Sequence, residues 1–228
     1  MHIPALLQFL HELSENNTKS WFLHNKPHYD ILRAEFIDLI ADVGKRIQQF
    51  DNGIGPFEAK KALFRIYRDV RFSKDKSPLK THIGAVIGAR TTDKVRPVYY
   101  IHVDQTGKLL VASGIWMPEK DAHKKIREAL AGNPKSFTKV LKDKRFVDTY
   151  GGLSDEDRML RPPKGYSADL PMIEYIKNRH YICVVETNLY KKVPKDLAAW
   201  ISERCEAAYP LVKWLRDTTA TVDLSKPG

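Results

Sequence analysis

The feature that most constrains the fold is the order in which helical and strand-like patterns follow one another along the chain. Apolar residues recur every three or four positions in 5–13 and 29–47, which predicts a helix in each. A short helix that ends at Leu23 is expected between them, and the helix that contains 29–47 is expected to begin near Pro27. The middle of the chain is instead β-like, with candidate strands at 63–68, 81–89, 97–104 and 108–113.

Helical patterns return in the second half, which carries one late strand at 181–187 and a final helix at 194–215 with a break or kink at Pro210. Strands that follow one another without intervening helices argue against a doubly wound fold. The order predicts an α+β fold. Its mostly antiparallel central sheet has the N-terminal helices and a long C-terminal helix packed on it.

Size and composition are those of an ordinary globular chain, with 228 residues of which 43% are hydrophobic and 29% charged. No repeat or linker-like segment interrupts it, so one domain over residues 1–228 is predicted. Two cysteines, Cys183 and Cys205, exclude a disulfide scaffold and a cysteine-rich zinc module. The longest stretch without Lys, Arg, Asp or Glu is 1–11, too short to span a bilayer and unlike a signal peptide. A cytoplasmic protein that does not bind membranes is therefore expected.

Positive charge is concentrated in one segment of the chain. The net charge is +10, and residues 60–80 alone hold eight cations against the two anions Asp69 and Asp75. The cations are Lys60, Lys61, Arg65, Arg68, Arg71, Lys74, Lys76 and Lys80. Such a concentration attracts phosphates, carboxylates or a nucleic-acid backbone. The alternative is a solvated, charged surface loop, although interleaved apolar residues such as Phe64 and Ile66 tie the charges to a packed element.

The same segment carries a long and compositionally unusual motif, LFRIYRDVRFSKDKSPLKTHIGA at 63–85. Shorter distinctive stretches are NNTKSWFLHNKPHYD (16–30), YYIHVD (99–104), GIWMPE (114–119) and LRPPKGYSADLPMIEYIK (160–177). With these motifs the chain resembles, over nearly its whole length, the bacterial and fungal family catalogued as domain of unknown function 2461. The resemblance implies a shared fold and a shared pocket, and it transfers no activity. In this chain Ala112-Ser113-Gly114 stands where the family tends to have consecutive glycines, and Leu170 stands where a histidine is common.

The chemistry of the basic motif starts from the two faces of an extended strand. Arg65 and Tyr67 point to one face and Arg68 to the other, so at least one guanidinium is directed toward the interior or into a cleft. A buried guanidinium needs a partner, which is either an internal carboxylate, with Asp69 and Asp104 as the nearest candidates, or a bound anion. Because arginine suits both, these two interpretations stay open.

The turn-rich stretch that follows favours binding, because small hydroxyls and repeated cations can together surround a phosphate. It lacks the glycines and the Gly-Lys-Ser/Thr ending of a P-loop. In the turn 162–166, Lys164 accompanies Tyr166 at a candidate rim or lid of a basic cleft. The predicted ligand-binding residues are Arg65, Tyr67, Arg68, Arg71, Lys74, Lys76, Lys80 and Lys164.

Catalysis is left open by the residues themselves. His82 and His102 lie on neighbouring predicted strands, where either imidazole beside Asp69 or Asp104 would make a general base. The alternative for each histidine is a hydrogen-bonded place in the core. No metal-binding motif, P-loop or Gly-x-Ser-x-Gly sequence is present, so no metal site is predicted, and the sequence does not specify a cofactor.

Three functions follow from these patterns. The favoured one is a domain whose basic cleft binds or acts on a phosphate- or carboxylate-bearing small molecule. The second is a non-catalytic interaction or structural protein in which the cations pair with internal carboxylates. The third, less favoured, is a non-specific nucleic-acid-binding module, since no nucleic-acid motif is present and acidic residues are spread over the rest of the chain. The sequence specifies neither the ligand nor the oligomeric state.

Overall fold

A computed structural model describes residues 1–88 and 95–220 of the chain. Its helices in these residues are α1 (Ile3–Glu15), α2 (Lys19–Gln48), a short 3-10 helix (Asn52–Ile54), α3 (Ala59–Ala62), α4 (Lys120–Gly132), α5 (Pro134–Leu141), α6 (Lys144–Tyr150), α7 (Ile173–Ile176) and α8 (Leu197–Thr219). Its strands are β1 (His82–Gly88), β2 (Val98–Asp104), β3 (Lys108–Ile115) and β4 (Tyr181–Asn188). Ala89, the last residue of the second predicted strand, lies outside the described residues.

The strands form one antiparallel sheet in the order β1-β2-β3-β4, which confirms the α+β prediction. A tight turn joins β2 to β3. The Asp104 carboxylate accepts hydrogen bonds from the Thr106 amide (2.8 Å), the Thr106 hydroxyl (2.7 Å) and the Lys108 amide (3.2 Å). Gly107 takes a φ of 78°, which glycine adopts without strain. A Cβ at this position would also lie 2.3 Å from the Tyr190 ring, so the turn needs a glycine.

Two prolines lie inside helices that continue past them. The predicted pair of helices around Pro27 is a single helix, α2, and α8 runs through Pro210 without the predicted break. A proline in a helix removes one amide donor. In α2 that loss is opposed by the buried face of the helix, which carries Phe22, Tyr29 and Leu32 on both sides of the proline.

Residues 63–68, predicted as a strand, form an extended segment joined to its neighbours by two isolated antiparallel bridges. Leu63 pairs with Ala85 and Tyr67 with Leu79. The Lys80 amide donates to the Ile66 carbonyl at 2.8 Å, and the Arg68 amide donates to the Pro78 carbonyl at 2.9 Å. The segment and residues 78–80 therefore close a loop over 69–77.

The chain divides into two compact units, each assembled from three stretches. Unit 1 comprises Met1–Ile87, Tyr100–Val111 and Glu186–Glu203, and unit 2 comprises Gly88–Tyr99, Ala112–Val185 and Arg204–Gly228. One domain over residues 1–228 therefore stays a prediction.

Each unit has its own apolar packing. In unit 1, α1 and α2 contact each other, and Phe9 of α1 lies with its ring centroid 5.8 Å from that of Tyr29 in α2. In unit 2, Leu211 and Leu215 of α8 share a buried core with Tyr181 and Cys183 of β4. This core confirms that the C-terminal helix packs on the sheet.

Candidate functional site

Two histidines lie on the same face of the sheet in unit 1. Along β2 the odd-numbered residues are buried, whereas Tyr100, His102 and Asp104 are half-buried on the other face. His82, at the start of β1, is also half-buried, and its ring centroid lies 5.4 Å from that of His102. The Nδ1 atom of His102 is 2.9 Å from the Tyr100 hydroxyl, within hydrogen-bond distance.

A glycine makes this close approach possible. A Cβ added at Gly84 would lie 3.1 Å from the His102 Cβ and 3.2 Å from the Ile101 carbonyl oxygen. These contacts are tighter than ordinary van der Waals contact between side chains. Gly84 thus leaves room on β1 for the imidazole of the neighbouring strand.

The basic segment adds an aromatic ring and an ammonium group to the two histidines. The Phe64 ring meets the Tyr100 ring edge to face at a centroid distance of 5.9 Å. The Lys80 Nζ atom lies 5.0 Å from the centroid of the Phe64 ring, a cation–π distance. We call this group of five side chains the histidine cluster; it consists of Phe64, Lys80, His82, Tyr100 and His102.

Burial controls the protonation of the cluster. Burial, with smaller contributions from His102 and Lys80, lowers the pKa of His82 to about 4, against the opposing charge of Asp104. Burial also lowers the pKa of His102 and raises the pKa of Tyr100 to about 12. At neutral pH the His82 imidazole is therefore uncharged and the Tyr100 phenol keeps its proton.

The protonation of His82 can be checked directly. We expect the ring-proton chemical shifts of His82, followed by NMR, to titrate with a midpoint of about 4 because burial disfavours the imidazolium. In the unfolded chain the same group titrates near the ordinary 6.5, so between these two values the unfolded state binds the extra proton. The His82 contribution to stability is therefore complete above pH 6.5 and is lost as the pH falls toward 4. A midpoint near 6.5 in the folded protein would contradict the burial argument.

Lys80 is a half-buried cation whose electrostatic surroundings are unfavourable. Burial lowers the pKa of its ammonium group, and the charge of Arg65 lowers it further. Arg65 itself is exposed, and among residues 1–88 and 95–220 its side chain has no ion pair or hydrogen bond. The charge of Arg65 also acts on Asp69, but that carboxylate already pairs with Arg71. Two neighbouring cations whose nearby carboxylate is already paired are an arrangement that an anion stabilises.

The other two arginines of the segment already have carboxylate partners. Arg71 donates to Asp69 through Nε (3.0 Å) and Nη2 (2.7 Å), and this pairing lowers the pKa of Asp69 to about 2. Arg68 pairs with Asp75, not with the carboxylates that the sequence suggested, Asp69 and Asp104. The ligand-binding role predicted for Arg68 and Arg71 stays a prediction.

The remaining predicted residues occupy separate places. The ring of Tyr67 is 43% exposed and lies 5.8 Å from Phe22 of α2. Lys74 and Lys76 are exposed in the loop over 69–77. Lys164 is exposed in unit 2, whereas the other predicted ligand-binding residues belong to unit 1. Their ligand-binding roles stay predictions.

Sequence reasoning missed a buried histidine in unit 2, His180, which is 4% exposed. The Trp116 ring stacks on it at a centroid distance of 3.7 Å, and the Met117 amide donates to its Nδ1 atom at 3.1 Å. Its Nε2 atom lies 3.7 Å from the Asp157 carboxylate. With Nδ1 accepting from the backbone, His180 holds the chain after β3 in place and has no free lone pair for a base. No local sequence pattern marks it, because its contacts span distant parts of the chain.

Leu170, where the resemblance leads us to expect a histidine, lies in unit 2. Leu170 is partly buried and packs against the apolar core of this unit. The position therefore contributes packing in this chain.

No metal centre emerges from the geometry. Within the described residues, no three His, Cys, Asp or Glu side chains are grouped closely enough to hold a metal ion. In the same residues no helix is long and apolar enough to cross a membrane.

Comparison with known proteins gives one result. A family model described as "Conserved hypothetical protein (DUF2461)" matches residues 5–214. No curated protein and no solved structure matches the chain.

Proposed function

Because the chain belongs to the family of conserved hypothetical proteins DUF2461, whose description names no activity, we propose a function from the site itself. Unit 1 binds a phosphate- or carboxylate-bearing small molecule beside the histidine cluster. Lys80 and Arg65 supply the positive charge of this basic cleft. The cytoplasmic location expected from the sequence stays a prediction.

The observation that carries the proposal is that the half-buried ammonium group of Lys80 has no ion pair among the described residues. Its ammonium is half-buried and is disfavoured by both burial and Arg65. A bound anion would remove this penalty, because it provides the opposite charge that the described carboxylates do not place beside Lys80. The uncharged His82 adds a hydrogen-bonding group on the same side of the cluster, since a neutral imidazole can donate with one nitrogen and accept with the other.

The alternative of an interaction or structural protein is supported by a different part of the segment. Arg68 pairs with Asp75 and Arg71 pairs with Asp69, as expected if these cations serve only to stabilise the folded segment. In the part of the chain that the structure describes, Lys80 and Arg65 have no ion pair, and the carboxylate whose pKa Arg65 helps to lower, Asp69, is already paired with Arg71. The two proposals thus assign different residues and can be separated by mutation.

The test is thermal stabilisation by inorganic phosphate and, separately, by citrate. An anion at about ten times its Kd stabilises the folded state by about 1.4 kcal/mol, which raises Tm by about 3–6 °C in a chain of this size. We expect Arg65→Ala and Lys80→Met each to abolish most of this rise, because each removes one cation of the site.

Arg46→Ala is the control, since it removes an arginine of unit 1 that already pairs with two carboxylates, Asp42 and Asp196. It should leave the anion-dependent rise in place. Equal losses in Arg65→Ala and Arg46→Ala would mean that the anions respond to the overall charge. If neither anion raises Tm in the parent protein, the proposed anion site is wrong.

A further inference from the structure

The loop over 69–77, which we call the Phe72 loop, holds an aromatic ring in solvent. Phe72 is 96% exposed, so almost none of its apolar surface is buried in the fold. Val70, another apolar residue of this loop, is half-buried. The Arg71 guanidinium lies 5.8 Å from the centroid of the Phe72 ring, and the rest of the ring surface is open to a partner.

The Phe72 loop is held in this shape by its own hydrogen bonds. The Asp75 carboxylate accepts from the Ser77 amide at 2.9 Å and from the Ser77 hydroxyl at 2.6 Å, and it also pairs with Arg68. Lys76 donates from Nζ to the Val70 carbonyl at 3.0 Å. These bonds run across the loop, so the outward position of Phe72 is built into the folded chain and binding through it requires little ordering.

The charge of the Phe72 loop is positive after its ion pairs are counted. Its two carboxylates, Asp69 and Asp75, are each paired with an arginine. Lys74 and Lys76 remain, and neither has an ion pair among the described residues. An exposed ring with a guanidinium over it and two exposed lysines in the same loop has the chemistry of a surface that stacks a base and contacts phosphates.

We propose that the Phe72 loop is a contact surface for single-stranded nucleic acid. A base stacks on the Phe72 ring while Lys74 and Lys76 contact the backbone phosphates, and the net charge of +10 attracts the strand. This surface uses residues other than Arg65 and Lys80, so it stands independently of the proposed small-molecule site.

A single exposed ring favours a nucleic acid over two other polyanionic partners. An anionic bilayer gains affinity from several apolar side chains that enter it together, and the Phe72 loop exposes one. An acidic polypeptide would use the cations but has no regular series of planar groups to stack on the ring. Both become outcomes of the test.

The first test is the binding of a fluorescently labelled oligothymidylate, followed by anisotropy. We expect Phe72→Ala to weaken binding about tenfold, since stacking on one aromatic side chain typically contributes this much or more. Leu160→Ala is the matched control, because Leu160 is 95% exposed and lies in unit 2. The control should leave the affinity unchanged. An unchanged affinity in Phe72→Ala would overturn the proposal.

The second test is the salt dependence of the same binding. Removal of both lysines, Lys74→Ala with Lys76→Ala, should make the plot of log K against log salt less steep. The magnitude of its negative slope should fall by about 1.4, which is about 0.7 for each lost phosphate contact. A second double variant, Lys191→Ala with Lys192→Ala, removes the same charge from another exposed part of unit 1 and should leave the slope unchanged.

Three further results would reject the proposal. Equal slopes in the two double variants would assign the binding to net charge alone. Binding of phosphatidylserine vesicles without binding of the oligothymidylate would assign the loop to a bilayer. Phe72-dependent binding of polyglutamate that is as tight as that of the oligothymidylate would assign it to an acidic polypeptide.

Discussion

Gly114→Ala should destabilise the protein by about 3 kcal/mol or more, a large effect for the addition of one methyl group. Gly114 lies in β3 with a φ of 128°, a backbone conformation that favours glycine. A Cβ at this position would lie 2.0 Å from the Tyr181 carbonyl oxygen and 3.0 Å from the Ile182 Cα atom. Since both neighbours belong to the backbone of β4, the strand itself would have to move.

Chemical denaturation of Gly114→Ala, monitored by circular dichroism, measures this change in the free energy of unfolding. Gly132→Ala is the control, because Gly132 ends α4 and a Cβ there would meet nothing within 4 Å. We expect that control to be neutral or to stabilise the protein by up to about 1 kcal/mol, since alanine favours a helix more than glycine does. A loss below about 1 kcal/mol in Gly114→Ala would show that β3 and β4 can separate at this point.

Phe137→Ala should destabilise the protein by about 3–5 kcal/mol, the usual result of removing a fully buried aromatic ring. Phe137 of α5 is 0% exposed, and its ring centroid lies 5.2 Å from that of Tyr175 and 4.7 Å from that of Trp214. Alanine would leave a cavity among these rings and would also remove the ring contacts.

The matched control is the same substitution at the opposite extreme of burial. Phe72→Ala, at a residue that is 96% exposed, should change the free energy of unfolding by less than about 0.5 kcal/mol. Denaturation of both variants under one set of conditions gives the comparison. A large loss in Phe72→Ala would mean that this ring packs on the protein, and its loss of nucleic-acid affinity would then have a structural cause.

The sequence allowed most of the fold to be predicted because its periodic patterns are local. The alternation along β2 and the turn ahead of Gly107 follow from neighbouring residues, as does the helical spacing between Tyr29 and Ile47. The wrong predictions occur where tertiary packing outweighs a local sequence preference. The sequence predicts two helices around Pro27 and a break or kink at Pro210, yet buried faces carry α2 and α8 through these prolines.

The extended segment at 63–68 shows a second limit of pattern reading. Its alternation is real, with Ile66 buried and Arg65 exposed, but a strand also needs a partner with the right donors. Opposite it lies Pro78, which accepts from the Arg68 amide but has no amide proton to return. Two isolated bridges are the result.

The candidate site was predicted only in its residue types. His82 and His102 could be placed on neighbouring strands by alternation, and the cations were visible as a local excess of charge. The partner of each cation was not predictable, since Arg68 pairs with Asp75 across the loop while Arg65 forms no ion pair in the described ranges and interacts with Asp69 only at longer range. Such choices depend on side-chain directions that sequence spacing does not determine.

The burial of both cysteines gives the folded chain a simple chemical property. Cys183 and Cys205 are 0% exposed and belong to unit 2, and burial raises the pKa of both thiols far above the ordinary value. Neither therefore offers a thiolate to an alkylating reagent while unit 2 stays closed, since thiolate is the reactive form. Alkylation of the native sequence reports the opening of unit 2, and a cysteine introduced in place of Lys74 supplies one accessible attachment point on the Phe72 loop.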